Sequence, residues 1–201
     1  MAECAKPELY IFFRLSDSCS EPGELVGVVV FDTQNPVFNL DDTAGDWYIG
    51  SDWDDATKWA SLISSNAITV MGGKKRIEGS KPKSSPVNAE FAGKSIQTTR
   101  DHTGEFRHHG VDKNTLFWSA MNRANNFSCG FVFRDGQMAI PVLHTRDNAG
   151  VITSSKLQAV NFDADWDSEG GRQGLRLFGV SVDWENKDLM VFKKIPMSLF
   201  Q

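Results

Sequence analysis

The sequence predicts a mainly β protein: an antiparallel β-sandwich or partly open barrel with one flanking α-helix at about 112–126 and a second short helix at about 55–64. Three observations carry this reading. Runs dense in β-branched and aromatic residues recur along the chain, Glu24–Asp32 (ELVGVVVFD) being the densest. Asp135-Gly136 sits between two apolar runs, where a hairpin turn needs residues that accept positive φ. Gln158–Asp167 alternates apolar Val160, Phe162, Ala164 and Trp166 with polar Asn161, Asp163, Asp165 and Asp167, the period of a strand with one face buried. The clearest helical pattern lies in Val111–Phe127, and a helix with one apolar face among strands needs a sheet to cover.

In chain order, Glu8–Leu15 and Glu24–Asp32 read as a strand pair around a turn-rich segment. Asp41–Asp55 is acidic and rich in Trp and Gly, an excursion from the sheet that runs to about residue 64. Within it Ala56, Trp59, Ala60 and Ile63 recur at helical spacing behind Asp54 or Asp55 as N-cap. Ile68–Met71 is a short strand. Gly72–Pro86 then sets five basic residues, Lys74, Lys75, Arg76, Lys81 and Lys83, among Gly, Ser and Pro. That composition buries too little apolar surface to offset chain entropy, so a mobile basic loop is expected over about 72–86. Strand character resumes at Val87–Phe91, Lys94–Arg100 and Glu105–His109.

In the principal helix Leu116, Phe117, Ala120, Met121 and Ala124 are read as one apolar face, with Asp112 or Asn114 as cap and Asn125-Asn126 as stop. A two-residue turn at Asp135-Gly136 would place Phe133 opposite Met138 and Phe131 opposite Ile140. A further turn is expected at Asp147–Gly150. With a turn at Ser168–Gly171, Asp167 would face Arg172 and Asp163 would face Arg176, while Ala164 meets Leu175 and Phe162 meets Leu177. Such opposite-charge pairs contribute about 0.2–1 kcal/mol each. Gly179 reads as a bulge, after which Val180, Val182 and Trp184 continue the inward face. The apolar tail, with Met197, Leu199 and Phe200, is expected either to fold back on its own core or to dock on another subunit.

A chain of 201 residues with 40% apolar content fits a single β-rich domain, 1–201. Its formal charge of -5 argues against a general nucleic-acid binder. The three cysteines, Cys4, Cys19 and Cys129, match neither a disulfide framework nor zinc spacing. The N-terminal segment lacks a basic region ahead of an apolar stretch, and no apolar run approaches the roughly 20 residues of a membrane span. The expectation is a protein made in a cytoplasm, with no membrane partner.

Each chemical constellation has a plainer explanation beside it. His102, His108, His109 and His144 lack ligand spacing, and adjacent His108 and His109 would point to opposite faces of a strand. Asp163, Asp165, Asp167 and Glu169 resemble a calcium loop, but Ser168 stands where that loop needs glycine. The carboxylates of Asp41–Asp55 could hold a general acid and base only if a cleft gathers them. Trp47, Trp53 and Trp59 fit core packing better than a sugar platform, since large aromatics are usually buried. No motif of hydrolases, metalloproteases, nucleotide-binding loops or dinucleotide folds is present. No enzyme activity, metal or cofactor is expected.

The order of elements in the second half resembles the tube-forming proteins of phage tails and of related contractile injection and type VI secretion systems. The similarity lies in strands with a long polar loop (72–100), then one flank helix (112–126), then hairpins ending in a paired pattern, 158–167 with 174–184. The resemblance implies a β-sandwich that assembles into hexameric rings with a continuous inner barrel, its long loop engaging neighbouring subunits. On that basis the chain is expected to be a non-enzymatic virion structural protein, a tail-tube or tail-completion subunit forming a DNA conduit in the virion tail. It would partner with itself and other tail proteins, and DNA would pass without specific binding. Candidate interface residues are Lys74, Lys75, Arg76, Lys81, Lys83, Met197, Leu199 and Phe200. Candidate lumen residues are Asn161, Asp163, Asp165 and Asp167, because a conduit for DNA should not present cations that hold phosphates. The alternative is a carbohydrate-binding β-sandwich module using exposed Trp47 and Trp53.

Overall fold

A computed structural model describes residues 24–35, 37–38, 53–72, 77–109, 111–167, 177–188 and 190–200. The expected strand Glu8–Leu15, Trp47, the basic residues Lys74, Lys75 and Arg76, and the proposed hairpin partners Arg172 and Arg176 lie outside the described residues.

The fold is mainly β, with antiparallel sheets stacked on a shared core and two helices. The densest apolar run, Leu25–Asp32, forms strand β1. It sits inside a five-stranded sheet whose other members are β2 (Ile68–Gly72), β6 (Phe127–Phe133), β7 (Gln137–Ile140) and β12 (Val191–Lys194). The strand order in this first sheet is β12-β7-β6-β1-β2. Val28 and Val30 point into one core with Phe131 and Phe133, while Val29 and Phe31 point into a second core on the opposite face with Val132, Met138 and Ile140. A strand buried on both faces cannot afford polar residues on either, which is why β1 reads as a continuous apolar run rather than an alternation.

The second core is covered by the Trp-rich excursion. Helix α1 (Ala56–Ser64) starts at Asp55, whose carboxylate accepts from the N–H groups of Thr57 (2.8 Å) and Lys58 (3.3 Å). It stops in a Schellman arrangement: Asn66, at φ 57°, donates to the Ile63 carbonyl and Ala67 donates to that of Leu62. The inward stripe is Trp59, Leu62 and Ile63; Ala56 and Ala60, expected on it, are exposed. Trp59 is fully buried and its indole N–H donates to the Trp53 carbonyl at 2.9 Å. Phe38 stacks on Trp53 with ring centroids 4.2 Å apart, and Phe31 meets both tryptophans edge-on. The C-terminal turn Met197–Leu199 and Phe200 close the same core. Gly27 and Gly72 face each other across β1 and β2, and the Phe200 ring fills the room their missing side chains leave. Of the two fates expected for the tail, the structure has it folded on its own core.

The first core lies between this sheet and a second one. The second sheet is built from β10 (Asn161–Asp167), β11 (Leu177–Asn186), β5 (Lys94–His109) and β3 (Ile77–Gly79), in the order β10-β11-β5-β3. Phe162, Ala164, Val180, Val182, Trp184 and Phe106 supply its inner face. Gly104 lies on that face because the Phe131 ring occupies the place a side chain would take. A two-stranded piece, β8 (Val142–Arg146) with β9 (Ile152–Leu157), turns at Asp147–Gly150 as expected, the Asp147 carboxylate accepting from Ala149 and Val151 N–H.

Several expectations are corrected. The stretch read as a loop over 72–86 contains β3 and the start of β4 (Lys83–Phe91), both paired with β5. Helix α2 runs Val111–Met121, so Asp112 and Asn114 lie inside it and the turn at Asn122-Arg123 ends it. Its buried face is Trp118 and Met121 with Phe117; Leu116 is 86% exposed and Ala120 lies outward with it. Trp118, 1% exposed, turns inward, which leaves Leu116 and Ala120 on the opposite side of the helix facing outward. The β6–β7 register is one residue off the expected one, with Phe131 opposite Ala139 and Val132 opposite Met138. Only Gly136 has positive φ, and its N–H donates to the Phe133 carbonyl, giving a three-residue loop with a bulged glycine instead of a two-residue turn. In β10–β11, Phe162 faces Val182, Ala164 faces Val180 and Asp163 faces Ser181, so the expected Asp–Arg pairs are not the register. Burying an aliphatic or aromatic side chain is worth about 1.5–3 kcal/mol, more than a surface charge pair, and apolar rows fix the alignment. Gly179 pairs in register on both sides without a bulge.

Candidate functional site

The outer face of the second sheet gathers charge. In β10 Asn161, Asp163 and Asp165 are exposed while their neighbours Phe162 and Ala164 are buried, the alternation that the sequence predicts. Asp167 continues the row in register opposite Leu177. Strand pairing brings residues from β11 and β5 onto the same face: Asp183 stands opposite Asn161 and Thr103, Ser181 opposite Asp163 and Glu105, and Glu185 opposite Asp101. Asp163, Asp165, Asp183, Glu185, Asp101 and Glu105 therefore share one surface, with Arg107 in line with Gly179 and Asp165, and Lys83 of β4 opposite Thr103. Such a face carries negative potential well beyond any one carboxylate. The contributions of β5 and β11 are additional to the row expected from β10 alone. The signal was present, since Asp101, Thr103, Glu105 and Arg107 alternate with His102, Gly104, Phe106 and His108, of which the inner set is buried throughout.

The free edge of β10 is partly occupied. Asn122, just past α2, donates its side-chain amide to the Ala164 carbonyl and accepts from the Ala164 N–H, both at 2.9 Å. A side chain thereby stands in for one residue of a neighbouring strand and blunts that edge.

Beyond the sheet, β4 and β5 continue together as a hairpin. Among the described residues, 94–99 of β5 pair only with β4, and every residue from 88 to 98 is exposed. The turn is Ala92-Gly93, both at positive φ (50° and 74°), between the pair Phe91 and Lys94. A Cβ on Gly93 would meet none of the described residues within 4 Å. Pro86 fits in β4 because, among the described residues, this strand pairs on one side alone and the proline lacks no ladder bond there.

A pocket of about 440 Å³ opens between the β1–β2 edge and the end of α2, lined by Val37, Ile68, Phe117, Met121 and Phe127 with Asp32, Asn35, Asn66 and Thr69 among them. The Asp32 carboxylate accepts from Gln34 N–H (2.8 Å), Asn35 (2.7 Å) and Asn126 (3.3 Å). These bonds, that from the Asn35 side chain first, hold it below the ordinary carboxylate range.

Lys81 and Lys83 are exposed beside the hairpin root. Phe200 is buried in its own chain, with Met197 and Leu199 half-buried against the same core, so the tail is not an open contact surface. Trp53 is 1% exposed, a core residue rather than a platform. His102 and His108 are buried on the inner face of β5, and His144 bonds Ser155 at 2.7 Å. His102 lies parallel to Trp184, centroids 5.1 Å apart, and burial lowers its pKa; burial likewise lowers that of His144 and raises that of the Cys129 thiol. Among the described residues no three His, Cys, Asp or Glu are placed to hold a metal, and no helix is long and apolar enough to cross a membrane.

No protein-family model matches the chain, and comparisons with curated proteins and with solved structures return no match.

Proposed function

We propose that the chain is a non-enzymatic virion structural protein, a phage tail-tube or tail-completion subunit that assembles with copies of itself into a ring through which DNA passes. The observation that carries the reading is the second sheet: one face apolar and packed, the other an acidic surface spread over three strands. Set around a lumen, that face repels phosphates and gives them few cations to exchange counterions with, so DNA would move past without sticking. The hairpin beside it gives the subunit a reach beyond its own core, as an assembly arm requires. With Asn122 on the β10 edge, contact between subunits falls to the arm rather than to pairing along that strand.

The test is the mass of the purified protein by light scattering over a concentration series, with negative-stain images of the largest species. Rings or tubes are expected. A particle of 22.3 kDa at every concentration would remove self-assembly as a property of this chain.

A further inference from the structure

The hairpin tip has two unlike faces. Strand register puts Ala89 opposite Ile96 and Phe91 opposite Lys94 on one side, and Asn88 opposite Gln97 and Glu90 opposite Ser95 on the other. One face is thus apolar with a single lysine, the other polar. The apolar face lies in water: Phe91 is 73% and Ile96 50% exposed. A two-stranded hairpin is at best marginally stable alone, and an amphipathic one gains most of its stability by laying its apolar side on another surface. Among the described residues, none lies within 4 Å of where a Cβ on Gly93 at the tip would stand.

The same chain carries a matching recess. The pocket beside α2 is open, has an apolar wall of Ile68, Phe117, Met121 and Phe127, and holds Asp32 among its lining. We propose that the Phe91–Ile96 tip of one copy seats in this pocket of the next copy, with Lys94 brought to the Asp32 carboxylate. The occupant is a second copy because the chain offers both halves, knob and recess, with one complementary charge on each. Knob and recess are different patches, so the contact is heterologous and repeats head to tail, closing a ring or extending a filament. The inference rests on the assembly reading above and names the contact that would drive it.

The experiment uses the full chain and two single variants, each altered at an exposed residue so that folding is preserved: Phe91→Asp on the tip and Thr69→Arg on the pocket wall. Circular dichroism verifies the fold of each, and light scattering reads the mass. Wild type is expected to form large species and each variant to remain a monomer. Mixed in equal amounts, the variants have one intact knob and one intact recess between them, and are expected to stop at a dimer of twice the 22.3 kDa chain mass. If wild type assembles and either variant assembles as well, the knob and recess are not the contact while the assembly reading stands. If two folded monomeric variants give no dimer on mixing, tip and pocket do not meet each other and the pairing falls. A wild type that is monomeric throughout overturns the assembly reading and this contact with it.

Discussion

Val28–Phe31 of β1 and Ala89–Ile96 of the hairpin are both antiparallel, hydrogen-bonded strand structure, yet they differ in what surrounds them. The first has cores on both faces and paired strands on both edges. The second is exposed on both faces and, among the described residues, each of its strands has the other as its one neighbour. Backbone pairing alone is common to the two, so the difference isolates what side-chain burial adds. It teaches that the molecule divides into a part whose stability is complete within one chain and a part whose apolar groups have no use there.

The same residue type probes each part. Phe31→Ala should cost about 3–5 kcal/mol, because it leaves a cavity among Phe38, Trp53 and Trp59. Phe91→Ala should stay within about 0.5 kcal/mol of wild type in the monomer, as exposed substitutions do. Urea unfolding of both variants measures the contrast, and comparable losses would mean the hairpin tip is packed after all.

Between those extremes lies the β10 edge. Asn122→Ala removes two hydrogen bonds from Ala164 and leaves its N–H and carbonyl without that cover, at a cost of about 1–3 kcal/mol. It should also open the edge to irregular strand pairing, visible as a rise in thioflavin binding or turbidity on storage. An Asn122→Ala protein as soluble and stable as wild type would show that the clamp is incidental.

The smallest effect is one of pH. His102 and His144 both have folded pKa values below their ordinary value of about 6.5, chiefly through burial. The unfolded chain then binds more protons than the folded one as pH falls below about 6.5, so stability should decline on acidification through that range. His102→Phe keeps an aromatic ring against Trp184 and should flatten this slope, leaving the part due to His144. An unchanged slope in urea midpoints from pH 7 to pH 5 would exclude His102 as its source.

Part of this division is legible in the sequence. The unbroken apolar run of β1, the alternation around Asp163 and the Asp55 cap each have a local cause, so local pattern identifies them. What could not be read depends on long-range competition. The acidic face was half seen, because Asp183 and Glu105 join Asp163 only through a register fixed by Phe162 against Val182 and Ala164 against Val180. The α2 face is legible in part: Phe117, Met121 and Ala124 pack on the core as their spacing predicts, while Trp118 joins them and Leu116 and Ala120 turn outward. Lys and Ser in 72–86 predict a loop, yet Ile77–Gly79 and Lys83–Pro86 pair with β5, which composition does not reveal. The hairpin and the pocket, the parts argued to meet between subunits, were legible only as strands.

The most direct measurement is amide hydrogen exchange of residues 88–98 and of β1, read at a dilute and at a concentrated state of the same protein. The account predicts that β1 is protected in both, while the hairpin exchanges rapidly when dilute and becomes protected on concentration as its apolar face is covered by another copy. Hairpin exchange that is equally fast at both concentrations, in a sample shown to contain large assemblies, would contradict the claim that this arm is what joins one subunit to the next.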